Sequence, residues 1–94
     1  MFLLSTLKKG DYFKFLEGQK AIYLTNNNKF SQFDTSDINH IEYEVLKMNH
    51  KSIKVKPVDG MIEYVFKFKG DFISESLNGI DCVVEKIVPT KIEM

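Results

Sequence analysis

Two histidines, one cysteine and two close carboxylate pairs are the residues of this sequence best suited to reaction chemistry: His40, His50, Cys82, Asp34 with Asp37, and Glu42 with Glu44. Each set lacks its complement. A zinc site needs three or four ligands, whereas His40 and His50 each stand beside an Asn, with no second cysteine and no His-Glu-x-x-His. A nucleophilic cysteine needs a polarising neighbour and a base. Cys82 lies in Ile80-Asp81-Cys82-Val83-Val84, which reads as a strand, where a thiol serves as a small buried hydrophobe. General acid–base work needs two carboxylates across a cleft with separated pKa values. Glu42 and Glu44 instead share one strand face and read as cross-strand partners of lysines, while Asp34 and Asp37 read as loop caps. No catalytic residue, no metal site and no cofactor is expected.

The glycines lack the spacing that cradles a phosphate. In Lys9-Gly10-Asp11-Tyr12-Phe13-Lys14-Phe15-Leu16-Glu17-Gly18 the two glycines are separated by an extended run, and no helix follows to face an anion. Gly10 therefore reads as a turn, Asp11 as its cap, and Tyr12 onward as entry into a sheet. Lys69-Gly70-Asp71-Phe72 echoes it. The lysines at 54, 56, 67 and 69 carry the one functional colour. If their strands are neighbours, Lys54, Lys56, Lys67 and Lys69 form a basic patch that holds single-stranded nucleic acid by charge and stacking. The alternative is a solvated face matched by Glu42, Glu44 and Glu63.

The elements that must position these residues are short and extended. Alternation marks Tyr12–Glu17, Lys20–Thr25, Phe30–Phe33, Ile41–Met48, Ile53–Lys56, Ile62–Lys69 and Ile80–Val88, with a further short strand at Phe72-Ile73. Between them stand turn signals: Gly18-Gln19 as a hairpin, Asn26–Asn28, Asn49–Ser52, and Pro57–Gly60 with its Asp-Gly pair. Ser5–Gly10 and Asp34–Asn39 each have room for one helical turn. No window sustains a 3.6-residue period. The fold expected is all-β: a small antiparallel barrel or strongly curled sheet of five to seven strands, in one domain spanning 1–94, with a tail over 89–94.

Composition narrows the classes further. Thirteen basic residues, all lysine, balance thirteen acidic ones. Without arginine the preferred bidentate grip on phosphate or guanine is missing. A lone thiol suits a reducing compartment, and no stretch has the length of apolar chain that spans a membrane, so a cytoplasmic location is expected.

Closing the Asn49–Ser52 hairpin with Met48 opposite Ile53 puts Leu46 and Val55 on one face and Tyr43 and Val45 on the other. Val65 likewise falls on the Glu63 and Lys67 face. That leaves apolar residues on both faces, and a second face covered by a partner or by an identical subunit is one reading. Tyr43, Val45 and Val65 are the candidate partner-binding residues.

Leu7-Lys8-Lys9-Gly10-Asp11-Tyr12-Phe13, with Gly18 behind, resembles the L-K-x-G-D-x-F entry of small SH3-like or OB-like β-barrel proteins of bacteriophages and mobile elements. The resemblance implies a barrel, no catalytic residue, and a role in binding a host or viral macromolecule, in the host cytoplasm. The expected function is thus a non-enzymatic protein-binding module, such as a phage-encoded modulator of a host protein. A single-stranded nucleic-acid-binding barrel and a small-ligand sequestering protein with a pocket between subunits of a homodimer stand as alternatives.

Overall fold

The computed structural model describes residues 1–25, 27–70 and 78–89. Its strands are β1 (Phe2–Leu3), β2 (Tyr12–Phe15), β3 (Lys20–Leu24), β4 (Phe30–Asp34), β5 (Tyr43–Met48), β6 (Ser52–Pro57), β7 (Tyr64–Lys67) and β8 (Val83–Lys86). They form one antiparallel sheet in the order β1-β8-β2-β5-β6-β7-β3-β4. The chain is all-β, as its alternation predicts, with only two 3-10 turns among the described residues, Leu4–Thr6 and Thr35–Asp37. Eight strands exceed the expected five to seven because β1 is too short for any period to show. The expected strand at Phe72-Ile73 and the tail beyond Pro89 lie outside the described residues.

The sheet is a strongly curled half-barrel, and a short connection shows why it cannot be flat. Residues 16–19 join β2 to β3, yet β5, β6 and β7 stand between those strands. Four flat strand spacings would be roughly 19 Å. The step from Phe15 to Lys20 reaches about 17 Å at full stretch. Gly18-Gln19 is therefore not the expected hairpin but a link across the curl. The other turns behave as read. Asn49–Ser52 closes β5 onto β6, with Asn49 N–H donating to Ser52 O at 3.0 Å, and Pro57–Gly60 leads β6 into β7. Asn28 adopts the left-handed conformation between β3 and β4.

The opening motif is structural. Gly10 has φ +93°, a conformation that costs a side chain dearly. Asp11 Oδ2 accepts Lys8 N–H at 2.8 Å, while Asp11 N–H donates to Lys8 O.

The interior is aromatic. Phe13, Phe15, Tyr43 and Phe66 are buried and touch as edge-to-face or stacked pairs 5.0–6.0 Å apart. Leu4, Leu7, Ala21, Val45, Ile53, Val55, Phe68, Cys82 and Val84 complete the core. Each such large side chain contributes about 2 kcal/mol by leaving water.

Where the wall lacks a backbone ladder, side chains stitch it. Gln19 Nε2 donates to Leu16 O at 3.0 Å and Val83 O at 2.9 Å, and its Oε1 accepts Val83 N–H at 2.6 Å. The fully buried Thr35 hydroxyl donates to Leu16 O at 2.7 Å and accepts Gln19 N–H at 3.0 Å. Further along, Ile80 N–H donates to Lys67 O, bringing the chain back onto β7. Only glycine fits at 79, because a Cβ there would stand 2.4 Å from Lys69 N.

Candidate functional site

The concave side of the half-barrel is not filled everywhere. An open-sided cavity of about 230 Å³ is lined by Tyr23, Phe33, Ile38, Ile41, Tyr43, Tyr64 and Phe66. Strand periodicity places most of them. Tyr64 and Phe66 are two apart on β7 and so share the inner face. Tyr23 pairs with Phe66 across β3 and β7, and Phe33 of β4 meets Tyr23 edge-on at 5.1 Å. Tyr43 packs edge-on against Tyr64 and Phe66. Burial, then the neighbouring Tyr64, raises the Tyr43 pKa, so its hydroxyl stays neutral.

The two isoleucines come from the connection between β4 and β5. Asp34 caps the Thr35–Asp37 turn by accepting Ser36 N–H at 2.9 Å. Ile38 N–H donates to Thr35 O and Ile41 N–H to Ile38 O, both at 3.0 Å, so successive turns hold both side chains over the rings. All seven lining residues except Tyr43 and Phe66 are half-buried.

Two further hollows extend this mouth. One of about 190 Å³ shares Ile41 and adds His40, Glu42, Val58 and Asp59. The other, about 420 Å³, shares Tyr23 and Tyr64 and adds Leu24, Thr25, Asn27, Ile62 and Glu63. The β3–β4, β4–β5 and β6–β7 connections thus gather neighbouring hollows around the aromatic cavity. Beside it Met61 and Ile62 stand 91% and 65% exposed.

Of the residues singled out in the sequence, Tyr43 lines the cavity, His40 and Glu42 line its extension, and the others fall elsewhere. Tyr43 and Val45 are in the core rather than on a second surface, because β5 carries a bulge between Val45 and Lys47. The extra residue, Leu46, lets Val45 face Val55 and Met48 face Ile53 on the same inner side. Val65 is on the outer face opposite Lys54, half-buried.

Lys54, Lys56, Lys67 and Lys69 do not make one basic patch. Lys54 reaches Glu63 at 3.7 Å and Lys56 reaches Glu44 at 3.6 Å. Lys67 is fully buried with Nζ 4.6 Å over the Phe30 ring, and Lys69 stands exposed.

His40 and His50 are both exposed, His40 on the mouth and His50 in a separate hollow with Ser5, Asn49, Phe68, Lys69 and Asp81. There Asp81 is held by Ser5, whose N–H and hydroxyl donate to it at 3.0 and 2.6 Å. Cys82 is buried, its thiol donating to Lys20 O at 3.3 Å, and burial, with Asp81 adding to it, pushes its pKa up to about 11. Among the described residues no group of His, Cys, Asp or Glu is placed to hold a metal, and no helix is long and apolar enough to cross a membrane.

Tyr23, Phe33, Ile38, Ile41, Tyr64 and Phe66 are the site residues that sequence reasoning missed. Their only linear signal is an excess of aromatic residues on strands. Comparison with protein-family models, with curated proteins and with solved structures found no match.

Proposed function

We propose that the chain is a non-enzymatic binding module whose open aromatic mouth receives one apolar side chain of a protein partner. The observation that carries this reading is the cavity of about 230 Å³ walled by Tyr23, Phe33, Tyr43, Tyr64 and Phe66. A closed cavity of roughly 150 Å³ holds a benzene ring, and whole drug-sized ligands need about 300–1,000 Å³. The cavity therefore suits an anchor residue better than a complete cofactor. The exposed Met61 and Ile62 on its rim extend the apolar contact outward, as the surround of an interface hot spot does. A modulator of a host protein, the role implied by resemblance to small phage barrels, works by such a contact.

The lysine reading has less behind it, since Lys54 and Lys56 are ion-paired and Lys67 is buried.

The test is affinity purification from the native cell with the full chain and with Ile38→Gln/Ile41→Gln as baits, with and without nuclease. Both isoleucines are half-buried, so the variant keeps the strand signature in circular dichroism. The expected result is a protein retained by the parent chain, resistant to nuclease and lost from the variant. Equal retention by both baits rejects the mouth, and nuclease-sensitive retention transfers the function to nucleic acid.

A further inference from the structure

We infer that the partner segment seated in this mouth is basic: an apolar or aromatic anchor flanked by lysine or arginine. This rests on the mouth being a protein-binding site, and adds the chemistry of what it binds.

The charge distribution around the opening is one-sided. The whole chain is neutral, with thirteen lysines against thirteen carboxylates. Yet among the described residues lining the three connected hollows there are Glu42, Asp59 and Glu63 and no lysine; His40 is the only basic group. Glu42 and Asp59 line the hollow that shares Ile41 with the aromatic cavity, and Glu63 lines the one that shares Tyr23 and Tyr64 with it. Glu42 and Asp59 make contacts of their own and Lys54 approaches Glu63 at 3.7 Å, but the Lys54 and Glu63 side chains are about half exposed, and such pairs are weak and readily exchanged for a ligand's cation. Carboxylates beside a low-dielectric wall focus their field into the opening.

The rings add a second attraction. Aromatic faces draw cations, and this molecule's own ammonium groups already use it: Lys67 Nζ lies 4.6 Å from the Phe30 ring centroid and Lys86 Nζ 4.8 Å from that of Phe2. An acidic segment would bring like charges to Glu42, Asp59 and Glu63, and a nucleic acid would bring its phosphates there. A basic polypeptide meets complementary charge on both sides of its anchor.

The experiment is selection of short random peptides on the immobilised full chain, followed by binding measurements on the enriched sequences at low and high salt. The expected peptides carry an aromatic or long aliphatic residue with Lys or Arg on either side. Glu42→Gln/Asp59→Asn/Glu63→Gln weakens them about tenfold at low salt, each rim charge contributing a few-fold, and the difference closes at high salt. Glu63→Lys, at an exposed residue, shifts affinity the same way and guards against misfolding of the triple variant. Ile38→Gln/Ile41→Gln abolishes binding at both salts. Enriched peptides with neutral or acidic flanks, or affinity unmoved by the charge variants, overturn the basic inference while sensitivity to Ile38 and Ile41 leaves the mouth standing. Peptides indifferent to Ile38 and Ile41, or no enrichment at all, overturn both.

Discussion

Gln19 and Thr35 at the seam, and Tyr23, Phe33 and Tyr64 at the mouth, occupy two breaks in the same curled wall. At the seam every polar atom of the Gln19 amide is bonded, and the Thr35 hydroxyl both gives and accepts. At the mouth half-buried rings and two isoleucines face a hollow. The difference teaches how a small half-barrel divides its surface. Orphan backbone groups between β2, β3 and β8 must be satisfied for the chain to fold, so that break is stitched. Exposed apolar rings cost far less to leave open, so the second break can serve binding.

Substitution at the seam gives the largest expected effect. Gln19→Ala strands the Val83 N–H, leaves the Val83 C=O with the Leu16 N–H alone, and destabilises by about 3 kcal/mol, a fall of roughly 15 °C in Tm for a chain this size. Thr35→Val costs about 1–2 kcal/mol, and the double variant falls short of additivity because both side chains donate to Leu16 O. Thermal melts followed by circular dichroism check each value; a Gln19→Ala loss under 1 kcal/mol means that the seam is not what closes the wall.

The mouth should respond the opposite way. Ile38→Gln/Ile41→Gln changes stability by about 1–2 kcal/mol, since both side chains already meet solvent, yet it removes binding. A large loss of stability there erases the contrast between the two breaks. Gln19→Ala, examined below its Tm, retains binding.

The smallest effect is one of pH. Asp34 is half-exposed, and its pKa is lowered chiefly by the Ser36 N–H it accepts, with Lys20 adding to it. A lowered folded pKa means stabilisation that is present above the unfolded carboxylate value and lost as pH falls through the folded one. Asp34→Asn should therefore melt slightly below the parent at neutral pH. The gap closes below about pH 4. A gap that persists in acid assigns the cap to the side-chain shape rather than to its charge.

Much of the scaffold was legible because strands write themselves in alternation. Tyr12–Phe15, Ile53–Val55 and Tyr64–Phe66 declare their inner faces residue by residue. Asp11 and Asp34 were legible as caps because a carboxylate beside a short polar turn has few other uses. Strand order was not legible. Gly18-Gln19 has hairpin composition, but only partners far away in sequence decide that β2 lies between β5 and β8. Leu46 hid a bulge, and one extra residue turned Tyr43 and Val45 from surface candidates into core. The mouth was illegible for the same reason: Tyr23, Phe33, Ile41 and Tyr64 come from separate elements, and nothing local marks them as neighbours.

The interleaving of β2 has a consequence for how the protein is made. Its neighbours are Tyr43–Met48 and Val83–Lys86, so a nascent chain leaving the ribosome carries Phe13 and Phe15 wet until those segments follow. Until Val83–Lys86 emerges, those two rings are a natural handle for a chaperone, and synthesis that stalls before that segment releases a sticky, unfinished product.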